Sequence, residues 1–93
     1  MEEKNIDMSK LDELMNNLTA MDFINAEKVC RAGGDAAPEI IFSSTFRARL
    51  AAKALGIPYA EITGMKAREF ATMQLKVGNF LMQSLAEDTT QQA

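Results

Sequence analysis

The segment from Lys66 to Leu85 constrains this chain more than any other. At helical spacing it carries two apolar stripes. Phe70, Met73, Val77, Phe80 and Leu81 form one; Ala67, Ala71, Leu75, Gly78, Met82 and Leu85 form the other. At ~100° per residue the two together span roughly 220° of a helix. A surface helix of a small domain needs an apolar arc only somewhat wider than ~100°. The helix is therefore either the central post of a bundle or keeps one stripe for a partner. Arg68, Thr72, Lys76, Asn79 and Gln83 fill the remaining polar side. Those polar residues exclude a membrane span, which needs ~20 predominantly apolar residues.

With 93 residues the chain suits one small domain, spanning residues 1–93, for which oligomerisation would be a natural aid to stability. Its net charge of −3 argues against a dedicated nucleic-acid binder. There is one cysteine and no histidine. That composition rules out an internal disulfide and an ordinary zinc site, and it removes the commonest general base near neutral pH. Met1–Asp7 is charged and polar, so no signal segment is expected and the cytoplasm is the default compartment. The seven methionines suit core filling and also surfaces that adapt to a partner.

The remaining helices follow from their punctuation. Ser9 with Asp12 is a weak capping box ahead of a first helix over residues 10–16. Thr19 opens the second, with Asp22 placed to meet the N-terminal dipole. Phe23, Ala26, Val29 and Cys30 form the inner face of that helix, leaving Met21 and Ile24 outside it. Gly33 is the expected left-handed stop. Pro38 is the expected first residue of a third helix, since Phe42, Phe46, Leu50 and Ala54 step by four. The β-branched run at Ile40 and Ile41 would also allow a short strand. Gly56 closes the third helix, with Ile57 as the apolar residue that follows such a cap. Pro58 starts a short connecting helix ending at Gly64. Residues 1–8 and 87–93 read as flexible ends. The expected fold is all-α: a single-domain bundle of four to five helices with the long C-terminal helix at its centre.

Catalytic and metal-binding constellations are absent from the pattern. Asp12, Glu13, Asp22, Glu27, Glu61 and Glu69 stand singly among polar positions. Gly33-Gly34 lacks the lysine and hydroxyl of a phosphate-binding loop. Cys30 has no evident activating cation. These readings point away from an enzyme, and no cofactor is implied.

Ala52, Gly56 and Ile62 have the spacing of a helix-turn-helix corner. Its second helix would present Pro58, Tyr59, Ala60, Glu61 and Thr63, a set without the cations and amides that read DNA. Arg47, Arg49, Lys53, Lys66 and Arg68 give the middle of the chain a positive excess, suited to an acidic partner only if the fold gathers them on one side.

The stretch Leu18-Thr19-Ala20-Met21-Asp22 with Ala26-Glu27-Lys28 resembles the small tail assembly chaperones of tailed bacteriophages. So does the run from Leu50 to Pro58, and so, most of all, does the closing pattern from Phe70 through Val77-Gly78-Asn79-Phe80-Leu81. The resemblance covers about residues 11–86. It implies a non-enzymatic protein that coats the helical tape measure protein, recruits tail tube subunits in the host cytoplasm, and often has a frameshifted longer form. Binding to many similar helical segments suits a spare apolar stripe. The expected contact residues are Phe70, Met73, Val77, Phe80 and Leu81, helped by Met21 and Ile24, with the small-residue stripe turned inward. The alternatives are a helix-turn-helix regulator and a plain oligomeric helical structural protein.

Overall fold

The computed structural model of the chain describes residues 8–91, with side chains through residue 83. Five α-helices run in order: α1 Leu11–Met15, α2 Ala20–Ala32, α3 Ser44–Leu55, α4 Tyr59–Thr63 and α5 Ala67–Gln91. Single 3-10 turns at Met8–Lys10 and Ile40–Phe42 precede α1 and α3. No strand occurs among the described residues. The fold is an all-α bundle, as the periodicity predicts.

Local chemistry explains most of the boundaries. Thr19 and Asp22 close a reciprocal capping box: the Thr19 amide donates to the Asp22 carboxylate at 2.9 Å, and the Asp22 amide donates to the Thr19 hydroxyl at 3.2 Å. At the other end of α2 the stop falls one residue later than expected. Gly33 has φ −82°, while Gly34 takes the positive φ of 104°. Its amide donates to Arg31 and that of Asp35 to Cys30, both at 3.0 Å, which is the paired pattern that satisfies the last carbonyls of a helix. The same pattern ends α3. Gly56, at φ 70°, donates to Lys53 and Ile57 donates to Ala52.

The third helix begins six residues after Pro38, at Ser44, which corrects the expected start. Asp35 accounts for the shift. Its carboxylate accepts from the Ala37 amide at 3.0 Å and from the hydroxyls of Ser43 and Thr45. The Arg31 guanidinium donates to the Ala37 carbonyl at 2.6 Å. The loop is thereby pinned, and Ser43 becomes the cap, its hydroxyl accepting from the Phe46 amide. At the C-terminus α5 continues to Gln91, beyond the expected end of regular structure. Residues 1–7 and 92–93, the outer parts of the two expected flexible ends, lie outside the described residues.

The central post is α3 rather than α5. It packs against α1, α2, α4 and α5. Phe46, Ala48, Leu50, Ala51 and Ala52 are all buried, and at ~100° per residue they point to nearly every side. Its alanines let neighbouring helices approach closely, while Phe46 meets Phe23 of α2 edge-on at 4.7 Å between ring centres. Leu11 and Met15 of α1, Ile62 of α4, and Met73 and Val77 of α5 complete the core. Each such side chain contributes roughly 1.5–3 kcal/mol on burial.

The two stripes of α5 are exchanged relative to expectation. Met73 and Val77 are fully buried, and Phe70, Phe80 and Leu81 pack half-buried against the core. Ala67, Ala71, Leu75 and Met82 of the small-residue stripe face outward. The bulky stripe wins the interior because it removes more apolar surface from water. On α2, Val29 also lies outside the core to which the spacing assigned it.

Candidate functional site

An apolar groove of about 400 Å³ opens where α1, α2, α3 and α5 converge. The end of α1 and the turn after it supply Met15, Asn16 and Leu18. The first turns of α2 supply Phe23 and Ile24, held in place by the Thr19–Asp22 box. Buried Leu50 of α3 closes the inner side, and Phe80 and Leu81 of α5 form the opposite wall. Among the described residues, Asn16 and Thr19 are the only side chains with polar atoms along the lining.

Of the seven residues expected to meet a partner, three converge here: Ile24, Phe80 and Leu81. Ile24 is 44 % exposed and stands free on the rim. Met21 is 59 % exposed but lies on another side of α2, outside the groove. Phe70 packs against the core. Met73 and Val77 are enclosed within the chain, so the expectation that they meet a partner is corrected: in this fold they are core. Leu18 and Phe23 were missed as lining. Their apolar character was plain in the sequence, but their convergence with Phe80 is set by how α2 and α5 flank α3.

No family model, curated protein or solved structure matches the chain.

The groove offers no acid, base or nucleophile. Its chemistry is the removal of apolar surface from water, with two polar side chains at one edge to bias orientation. Elsewhere, Asp22 and Asp35 are the carboxylates held clearly below the usual range. For Asp22 the main cause is the Thr19 amide, with the Thr19 hydroxyl and the nearby Lys53 ammonium adding to it against some desolvation. For Asp35 the hydroxyl of Ser43 comes first, then the Ala37 amide and the Thr45 hydroxyl. Asp22 completes the α2 capping box, and Asp35 pins the α2–α3 loop to the hydroxyl of Ser43, the cap of α3. No group of three or more His, Cys, Asp or Glu residues suited to a metal ion occurs among the described residues.

The corner of Ala52, Gly56 and Ile62 forms as its spacing predicts, with Gly56 left-handed and both Ala52 and Ile62 buried. Helical packing accounts for that spacing. The helix after the corner, α4, is five residues long.

The five cations take different roles. Arg49 stacks over Tyr59 at 4.0 Å, and Lys53 pairs with Asp22 at 3.9 Å. Arg47 turns towards α5, donating to the Ile41 carbonyl at 2.7 Å and the Gln74 carbonyl at 3.3 Å. Lys66 and Arg68 flank the start of α5. Cys30 is buried on α2. No helix among the described residues is long and apolar enough to cross a membrane.

Proposed function

We propose that the chain is a tail assembly chaperone that holds apolar helical stretches of a tape measure protein in the groove between α2 and α5. One observation carries this reading. Ile24, Phe80 and Leu81 converge with Leu18 and Phe23 around a groove of about 400 Å³. Ligand sites of roughly 300–1,000 Å³ with mostly apolar linings are the common kind, and an amphipathic helix enters such a groove through large side chains one turn apart. The near absence of polar lining suits a client recognised by its apolar face rather than by a fixed sequence. In this role the protein is not an enzyme, acts in the host cytoplasm, and leaves its client when tail tube subunits take over the covered surface. Self-association would let several copies coat one long helix.

Co-expression with the tape measure protein of the same phage tests the reading. The wild-type chain keeps that protein soluble and co-purifies with it; Ile24→Asp and Phe80→Asp lose both effects. Ile24 is exposed enough for its variant to fold, which circular dichroism verifies. A tape measure protein that is equally soluble with the wild type, the Ile24→Asp variant or no partner overturns the proposal.

A further inference from the structure

The side of α5 turned away from the core is a second surface with a chemistry of its own. At ~100° per residue, Arg68, Ala71, Leu75 and Met82 fall within a narrow arc opposite Met73 and Val77. Leu75 is 66 % exposed and Met82 40 %. Gly78 lies between these two on the helix surface, at i+3 from one and i−4 from the other. The Arg47 guanidinium rests on Gly78 and also reaches over the Phe42 ring at 5.9 Å, so Phe42, 61 % exposed, extends the same patch.

The charge of this patch is one-sided. Arg47 and Arg68 border it, and none of the residues named on it is acidic, although the chain as a whole carries −3. The partners of Arg47 among the described residues are two carbonyl oxygens and a ring, which leave its positive charge without a carboxylate. Its hydrogen bonds to those carbonyls use Nε and Nη1. An arginine set among exposed aromatic and aliphatic side chains is the composition of an interface hot spot, and a guanidinium can pair with a carboxylate through two parallel hydrogen bonds.

We propose that this face docks an acidic amphipathic helix of another protein. Its large apolar residues, one turn apart, cover Leu75, Met82 and Phe42, and its flanking carboxylates reach Arg47 and Arg68. A second copy of the chain is the poorer occupant, because the same face on that copy brings two more arginines and no carboxylate. The surface lies on the side of α5 away from Phe80 and Leu81, and its occupancy is independent of the groove.

The probes are two designed helical peptides with the same Leu residues one turn apart, flanked by Glu in one and by Lys in the other. Fluorescence anisotropy with the full chain shows the Glu peptide binding and the Lys peptide at least about tenfold weaker. Leu75→Ser weakens the Glu peptide about tenfold, and Arg68→Glu narrows the preference for the Glu peptide over the Lys peptide. Both positions are exposed, so the variants keep the fold. Ile24→Asp, in the groove, leaves the binding unchanged. Equal binding of the two peptides, binding of neither, or Leu75→Ser binding like the wild type overturns the proposal. Loss of binding in Ile24→Asp places the peptide in the groove and also overturns it. Sedimentation that shows a dimer abolished by Leu75→Ser assigns the face to a second copy, again overturning it.

Discussion

The guanidinium of Arg47 lies flat on the backbone of Gly78, so that a Cβ at position 78 would stand 2.6 Å from Nη1. A glycine in the middle of a long helix costs about 1 kcal/mol relative to alanine. Here it makes room for the arginine that ties the Ile40–Phe42 turn and α3 to α5. The Arg47 bonds to the Ile41 and Gln74 carbonyls depend on that room.

Gly78→Ala therefore carries two opposing effects. Helix propensity gains about 1 kcal/mol. Displacing Arg47 forfeits charged hydrogen bonds worth roughly 1.5–3 kcal/mol each. The expected net result, with both bonds lost, is a loss of about 2–5 kcal/mol in urea unfolding. In an Arg47→Ala background the same substitution stabilises by about 1 kcal/mol, because only propensity remains. If Gly78→Ala has the same effect in both backgrounds, the packing of Arg47 on Gly78 is energetically unimportant.

Thr19→Ala removes the side-chain half of the α2 capping box. The expected cost is about 1 kcal/mol. Because Phe23 and Ile24 of the groove sit in the first turns of α2, fraying there also loosens one groove wall. Amide hydrogen exchange would reveal faster exchange confined to the first two turns of α2, with α3 unchanged. Uniform acceleration across the domain would contradict this assignment.

The two glycines after α2 separate by substitution. Gly34 has φ 104°, with open space around the position of a Cβ. Gly34→Ala is strained by backbone alone and loses about 1–2 kcal/mol. A Cβ at Gly33 would meet the Cys30 and Val29 carbonyls at 3.5 and 3.6 Å, ordinary contact distances. Gly33→Ala stays within about 0.5 kcal/mol of the wild type in thermal unfolding. The reverse order of sensitivity would return the left-handed residue to Gly33.

Asp35 gives the α2–α3 loop a defined response to acid. Its pKa is lowered in the folded chain, chiefly by the Ser43 hydroxyl and then by the Ala37 amide. A depressed carboxylate stabilises the fold above its unfolded pKa, near 3.9. That contribution declines as pH falls below about 4 and through the lower folded value. Asp35→Asn is therefore less stable than the wild type at pH 6, and its stability changes less between about pH 5 and pH 2. Urea midpoints across that range check the sign. Asp22 is lowered by its own cap, so the doubly substituted chain has the flatter profile of the two.

What the sequence makes legible is local. Thr19 with Asp22, Gly56 with Ile57, and Pro58 before a short helix each act through bonds within a few residues, and each marks its boundary in the fold. The start of α3 was not readable in the same way, because the decisive acceptor, Asp35, lies eight residues before the serine whose hydroxyl it accepts. The inward face of α5 was harder still. Both stripes are apolar, and close packing of small residues competes with burial of large ones. The larger apolar area of the bulky stripe decides, and Arg47, whose long side chain covers Gly78 from another helix, occupies the space that close packing of the small-residue stripe would need. The groove was half legible: Ile24, Phe80 and Leu81 were marked as contact residues, but nothing in the spacing of α2 or of α5 says that these three meet.

The groove walls come from opposite ends of the chain, Leu18 to Ile24 on one side and Phe80 with Leu81 on the other. No contiguous fragment short of nearly the whole domain contains both. Filling the groove with any ligand would thus be thermodynamically linked to folding. A ligand present at a hundred times its dissociation constant adds about 2.7 kcal/mol to the stability of the folded chain. On the proposed function, the chain is a better-folded molecule when loaded than when empty, and releasing a client would bring it closer to unfolding and to the proteases that clear unfolded chains.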